Sequence, residues 1–314
     1  MNFVLRHAPQ PGDLAGDVSR DLLGVQIQCA QCHDHKTEKW TQNDFRSFAS
    51  ALLAVKPERL DVVKGEIPVV DLEDAKKPPK RFAKNPDVKA MLDATPRALD
   101  GTELPRDGAR EALADWMTSD KNPWFARAMV NRVWAQIFGS GFVDPPDDFR
   151  EKSVPVMPEV LDRLAADFVA SHYDLDALYR EILGTDAYAR SVGPGSARDA
   201  LYAHGELEAL SPDQLFDSVF TATSLDDTLS RAKRVDPDAL KVRLRRRMGF
   251  VFDDDAESNG EGYDGTVQQA LFLMNGGLVA SGTSVLPSNT LSNLVDSAAD
   301  DDVVIDELYL RTLG

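Results

Sequence analysis

Two cysteines and a histidine stand close together at Cys29-Ala30-Gln31-Cys32-His33, and the chain has no other cysteine. Two thiols about one helical turn apart can reach the two vinyl groups on one edge of a haem and become thioethers. The histidine that follows is then held under the iron as its proximal ligand. Gly24, just upstream, would let backbone lie close to such a ring. Three other chemistries fit the same residues. A zinc ion would draw on Cys29, Cys32, His33 and His35, but four ligands within seven residues surround one tetrahedral ion poorly. A thioredoxin-like dithiol needs a preceding strand and a βαβ context, which the flanking pattern lacks. The pair could also be inert and buried. The sixth ligand of an iron held here is open. His35 lies two residues from His33 and points elsewhere. Met157, Met117, Met91, His7, His172 and His204 remain, and a lone methionine at helical spacing is ordinarily core packing.

The surrounding pattern is helical. Leu22, Leu23, Val25 and Ile27 lead into the motif. Trp40 and Thr41 open a second helix, with Thr41 as its cap and Phe45, Phe48 and Leu52 on one face. Residues 57–107 read as a linker or irregular segment, because Lys76-Lys77-Pro78-Pro79-Lys80-Arg81 breaks helix; Val62 to Val70 could supply one short strand. From Gly108 onward helices follow one another. Leu161, Leu164, Ala165, Phe168 and Val169 make a buried stripe. Leu175, Leu178, Tyr179, Ile182 and Leu183 repeat it, and Gly184 supplies a stop. Ser211-Pro212-Asp213-Gln214 is a capping box with proline at the first helical position. Val267, Ala270, Leu271 and Met274 form another stripe, and Ile305, Leu308, Tyr309, Thr312 and Leu313 the last. Strands and helices do not alternate, so the expected class is mainly α, with a small helical unit over 1–56 and a larger all-helical domain over 108–314.

Composition narrows the partners. The 314 residues suffice for a real core and, as a soft prior, about two domains. A net charge of −17 argues against nucleic acid, because phosphate binding needs a basic face. The one dense basic run, Arg243 to Arg247, is too short to reverse this and reads as a solvated helix face. No stretch approaches the roughly 18 apolar residues that span a bilayer. Met1-Asn2-Phe3-Val4-Leu5-Arg6 lacks the apolar core and cleavage site of a signal peptide, which taken alone points to the cytoplasm.

The motifs carry a resemblance. Leu22-Leu-Gly-Val-Gln-Ile-Gln-Cys-Ala-Gln-Cys-His-Asp-His, with Lys39-Trp-Thr-Gln and Asp44-Phe, resembles the planctomycete cytochrome-c-like domain. Ala112-Leu-Ala-Asp-Trp-Met, Asn122-Pro-Trp-Phe-Ala-Arg, Asn131-Arg-Val-Trp, Phe138-Gly-Ser-Gly and Pro146-Asp-Asp-Phe resemble its usual companion, the planctomycete cytochrome-associated domain. So do Pro158-Glu-Val-Leu-Asp, Thr266-Val-Gln-Gln-Ala-Leu-Phe-Leu-Met-Asn-Gly and Glu307-Leu-Tyr-Leu-Arg-Thr-Leu. The resemblance covers nearly the whole chain in family order. It implies a cytochrome-c-like helical unit, an exported protein placed in the periplasm or secreted, and a neighbouring sulfatase-like secreted protein as a possible partner. Family members usually begin earlier and continue further, so the chain looks like a fragment at both ends, which would account for the missing signal peptide.

Two positions depart from the family. Histidine is common where Gln136 stands and where Met157 precedes Pro158. Methionine in place of a histidine ligand would keep an iron six-coordinate and raise its potential; loss of a surface histidine is the blander explanation. The best second site is the cluster Asn131, Arg132, Trp134, Asp147 and Asp148. Arg132 could bind a haem propionate or a substrate carboxylate, and the aspartates a cation, or act as acid and base. Structurally, Arg132 would pair with Asp148 and Trp134 would fill core. The loop Asp253-Asp-Asp-Ala-Glu-Ser-Asn-Gly has oxygen ligands suited to calcium, but Thr266 stands where an EF-hand needs glutamate, which favours a solvated loop. The expected function is electron transfer by one haem c on Cys29, Cys32 and His33, with Met157 as possible sixth ligand and a redox protein as partner. The alternatives are an exported oxidoreductase or carbohydrate-active enzyme with haem as relay, for which Arg132, Asp147 and Asp148 are the weak catalytic candidates, and a non-haem structural partner of a sulfatase-like protein.

Overall fold

The computed structural model describes residues 12–53, 55–59, 70–74, 85–206, 210–225, 236–252, 266–284, 290–297 and 300–313. Among them the chain is mainly α, with one two-stranded antiparallel hairpin. It divides into two compact units, Met1–Leu207 and Glu208–Gly314. The spatial division therefore falls well beyond the boundary at 107/108 expected from the sequence.

In the first unit, α1 (Asp13–Leu23) ends at Gly24, which takes a left-handed conformation and donates its amide to the Arg20 carbonyl. The helix α2 (Gln42–Ser50) starts at Thr41, as expected, with a full capping box to Asp44. The strands β1 (Val55–Arg59) and β2 (Val70–Asp74) pair antiparallel, Val55 opposite Asp74. Of the stretch expected to supply a strand, Val62 to Val70, only Val70 is among the described residues, and it opens β2. The segment read as linker is not uniform. It also carries α3 (Pro86–Asp93), and its Met91, Ala98, Leu99 and Leu104 are buried. These side chains join α1, α2 and α4 (Ala109–Met117) in a first core around Phe45 and Phe48.

A second core gathers α5 (Phe125–Phe138), α6 (Pro158–Ala170) and α7 (Leu175–Leu183). The α6 stripe is as expected, with Leu161, Leu164, Ala165 and Phe168 buried. On α7 the buried stripe is narrower, because Leu178 and Ile182 face in while Leu175 and Leu183 are exposed. Each large aliphatic side chain fully buried in this way contributes about 1.5–3 kcal/mol. Trp134 lies at the centre, its ring 4.3 Å from those of Phe138 and Phe142 and 5.2 Å from that of Tyr202.

The second unit holds α8 (Pro212–Thr223), α9 (Pro237–Phe252), α10 (Val267–Asn275), α11 (Gly277–Thr283), α12 (Thr290–Ser297) and α13 (Asp301–Leu313). Its core is Phe216, Phe220, Leu225, Met248 and Phe252. The Ser211–Gln214 capping box forms with Pro212 at the first position. The α10 stripe is corrected. Val267, Ala270, Leu271 and Met274 lie on the exposed face, and Gln269, Phe272 and Leu273 face inward. Gln269 explains the rotation: it closes the capping box with Thr266 and donates to the Val251 carbonyl at 3.3 Å, which draws its face onto α9. The last stripe is corrected too, since Ile305, Leu308 and Tyr309 on α13 are exposed within this unit. Arg245 of the basic run bonds Asp213 and Asp217 and lies over the Phe216 ring. No helix among the described residues is long and apolar enough to cross a membrane.

Tyr202 supplies a test of the second core. It is 2% exposed, and burial pushes its phenol from 10.0 up to about 12. The folded chain keeps this proton to higher pH than the unfolded chain, whose phenol titrates near 10. The associated stability is complete below about pH 10 and is lost as pH rises toward 12. In urea unfolding across that window, the midpoint should fall more steeply for the wild type than for Tyr202→Phe.

Candidate functional site

The stretch Gln28-Cys29-Ala30-Gln31-Cys32 repeats with a period of three, and the chain winds Gln28–Gln31 into a 3-10 turn, which stacks residue i on i+3. The match sorts the side chains. Ala30 is fully buried in the first core. The Gln28 and Gln31 side chains bond each other at 3.0 Å, and Gln28 Oε1 fills the space that a Cβ at Gly16 of α1 would need. Cys29 and Cys32 are left as exposed free thiols within one turn. An inert buried pair is thereby excluded.

His33 is exposed as well. Its Nδ1 lies 2.8 Å from the Asp34 carbonyl oxygen, which can only accept. Nδ1 therefore carries a proton, and in the neutral ring the lone pair is on Nε2, the arrangement in which imidazoles bind metal. His35 has the opposite tautomer, since its Nδ1 accepts from the Thr37 and Glu38 amides at 3.3 and 3.1 Å. It is a loop clamp. Among the described residues no group of three or more His, Cys, Asp or Glu is placed to hold a metal ion, so the four-residue zinc arrangement is not assembled. The residues present fit haem c: two exposed free thiols one turn apart, followed directly by an exposed histidine whose Nδ1 is engaged by a backbone carbonyl. Sequence reasoning missed Gln42, whose side-chain amide donates to the Gln31 and Cys32 carbonyls at 3.1 and 3.2 Å. Its signals are its place directly after the Thr41 cap and its position as the last residue of the Lys39-Trp-Thr-Gln motif, to which no role was assigned.

The second cluster comes together differently from expectation. Asn131 is fully buried and splints the following loop, donating to Val143 O and Pro146 O and accepting from Val143 N. Asp148 pairs with Arg150 through Nε at 2.6 Å, not with Arg132. Arg132 instead donates to the Asp21 carbonyl, at the end of α1. Asp147 accepts from Gln26 at 3.4 Å and lies 3.9 Å from Arg20. Hydrogen bonding to Asp21 raises the Arg20 guanidinium, and bonding to Asp148 raises Arg150, so both remain cations. Met157 starts α6 in a left-handed conformation and packs on the second core, in which the Cys29–His33 turn takes no part. Gln136 accepts from the Tyr179 hydroxyl at 2.8 Å. Met91 and Met117 are buried in the first core, and His204 Nδ1 faces the Gly205 carbonyl. His7 and the acidic loop from Asp253 lie outside the described residues; Thr266 caps α10.

Family models match two parts of the chain. PSCyt2, a protein of unknown function (DUF1549), matches residues 6–56. PSD1, a protein of unknown function (DUF1553), matches residues 109–262. The chain is a PSCyt2–PSD1 protein. These are the planctomycete cytochrome-like and cytochrome-associated domains, in the order the motifs indicate. No curated protein and no solved structure matches the chain.

Within the first compact unit, the PSCyt2 segment and the first part of the PSD1 segment meet in a tight seam. The Phe149 amide donates to the Gly24 carbonyl at 2.8 Å, and a Cβ at Gly24 would fall 2.7 Å from Phe149 Cδ2. Gly24 thus makes room for a PSD1 phenylalanine rather than for a cofactor. Beside the seam lies a cavity of about 320 Å³, walled by Lys39 and Trp40 of PSCyt2 and by Trp124, Arg127, Phe149 and Arg150 of PSD1. A smaller one of about 110 Å³ reaches His35 and Asp148. Gly24→Val would strain a backbone at φ 67° and press on Phe149. It should cost about 2–4 kcal/mol in urea unfolding, from left-handed strain and overpacking together. A loss under about 0.5 kcal/mol would show that the seam yields easily.

Proposed function

We propose that this PSCyt2–PSD1 chain is a c-type haem protein for electron transfer in an exported, periplasmic or secreted system, working with a redox partner protein. Cys29 and Cys32 would hold the haem, each thiol adding across one vinyl double bond with its proton going to the other vinyl carbon, so no oxidant or reductant is consumed. His33 would be the proximal ligand through Nε2. The bound haem would supply a one-electron couple; the chain would supply its attachment, orientation and tuning. The observation that carries this is the pairing of two exposed thiols in one turn with the His33 Nδ1–Asp34 carbonyl contact, which leaves Nε2 free. Met157 stands as the candidate sixth ligand only if it leaves its packing on the second core.

A second reading, an exported oxidoreductase or carbohydrate-active enzyme with haem as relay, is favoured by the cavity beside the seam. Its Trp124 and Phe149 walls, with charges of both signs, can hold a ring bearing polar groups. The candidate Asp147 is tied to Gln26 and Arg20, and Asp148 to Arg150, so both serve first as structural anchors.

The experiment is a reduced visible spectrum of the chain produced with c-type maturation factors. The sharp bands of a thioether-linked haem are expected. Cys29→Ser with Cys32→Ser should abolish covalent haem, and His33→Ala should leave an altered spectrum on retained thioethers. A colourless wild-type chain sinks the proposal.

A further inference from the structure

The chemical side of the Cys29–His33 turn is open, so whatever fixes it must act from beside or behind. A 3-10 turn leaves its last carbonyls without partners inside the turn. Water could serve them but would not hold their direction. Here the carbonyls of Gln31 and Cys32 both accept from one side chain, the Gln42 amide. The Gln42 backbone amide in turn donates to Asp34 Oδ1 at 2.8 Å, and Asp34 is the residue whose carbonyl faces His33 Nδ1. One residue therefore grips the chain on both sides of His33.

Gln42 is itself held firmly. It is the first residue of α2, directly behind the Thr41–Asp44 capping box, in which Thr41 Oγ1 donates at 2.7 Å and accepts at 3.2 Å. The same helix is pinned by Phe45 and Phe48, both fully buried. We propose that Gln42 is the positioning residue of the site, carrying the rigidity of α2 to the turn so that the Cys29 and Cys32 thiols and the His33 ring keep fixed relative positions. Asp34 is its relay to His33. The proposal rests on the haem reading for its purpose, while its geometry stands without haem.

The deciding variant is Gln42→Glu. A carboxylate at the first helical position complements the helix N-terminus, so α2 is kept. It cannot donate, however, and it faces two carbonyl oxygens. In the haem-free full chain, amide exchange at Ala30 and Cys32 should rise at least tenfold while Phe45 to Ala49 stay as in the wild type. The nitrogen-15 signal of His33 Nδ1–H should broaden. In the chain produced with c-type maturation factors, haem content should fall several-fold and the midpoint potential of the remainder should shift. Asp34→Asn, which keeps the acceptor, should behave as wild type, and Asp34→Ala should follow Gln42→Glu. Unchanged exchange at Ala30 and Cys32 would overturn the proposal, as would faster exchange with haem content and potential unaltered. If the wild type takes no haem at all, the haem reading falls and the positioning role with it; the haem-free exchange data tell that failure from a failure of the clamp.

Discussion

The constraint on which the site depends is the match between a three-residue sequence period and a helix with three residues per turn. Where i and i+3 eclipse, Gln28 stacks on Gln31 and Cys29 on Cys32. Ala30 then enters the first core and Gln28 settles against Gly16, so the turn is seated by the residues between and beside the cysteines. An α-helical winding would advance 100° per residue and smear these stripes. The outward thiols and the inward alanine are two results of one geometry.

A second consequence concerns how the two matched domains share the first unit. Gly24 follows α1 directly and has no side chain, and Phe149 of the PSD1 segment occupies the space this leaves. Arg132 closes on the Asp21 carbonyl at the end of the same helix, and Asp147 meets Gln26 and Arg20. These charged residues read as candidates for chemistry in the sequence, and in the structure they tie PSD1 to the helix that seats the turn. Their effect on the site is indirect, through the placement of α1.

Legibility followed locality. The Thr41 and Ser211 caps, the α6 stripe and the grouping of thiols and histidine within one turn are settled by a few neighbouring residues, and they stand as read. The α10 face did not, because a polar residue, Gln269, points inward to close a cap and reach Val251, and hydrophobicity alone cannot see that. The partner of Arg132 was misassigned because it is a backbone carbonyl, that of Asp21, which charge pairing cannot point to, and only the fold shows that Arg150 already holds Asp148. The role of Gln42, though the residue closes the Lys39-Trp-Thr-Gln motif, was unread for a related reason. Its role joins residues ten and eleven positions apart through backbone carbonyls, which carry no residue type to read.

The central claim is that Cys29 and Cys32 carry a haem by covalent bonds, with His33 beneath it. The most direct measurement is mass spectrometry of the proteolytic peptide containing Cys29 to His33, from chain produced with c-type maturation factors and treated with a thiol alkylating reagent. The account predicts one haem on that peptide and no alkylation at either cysteine. A peptide without haem and with both thiols alkylated would contradict it.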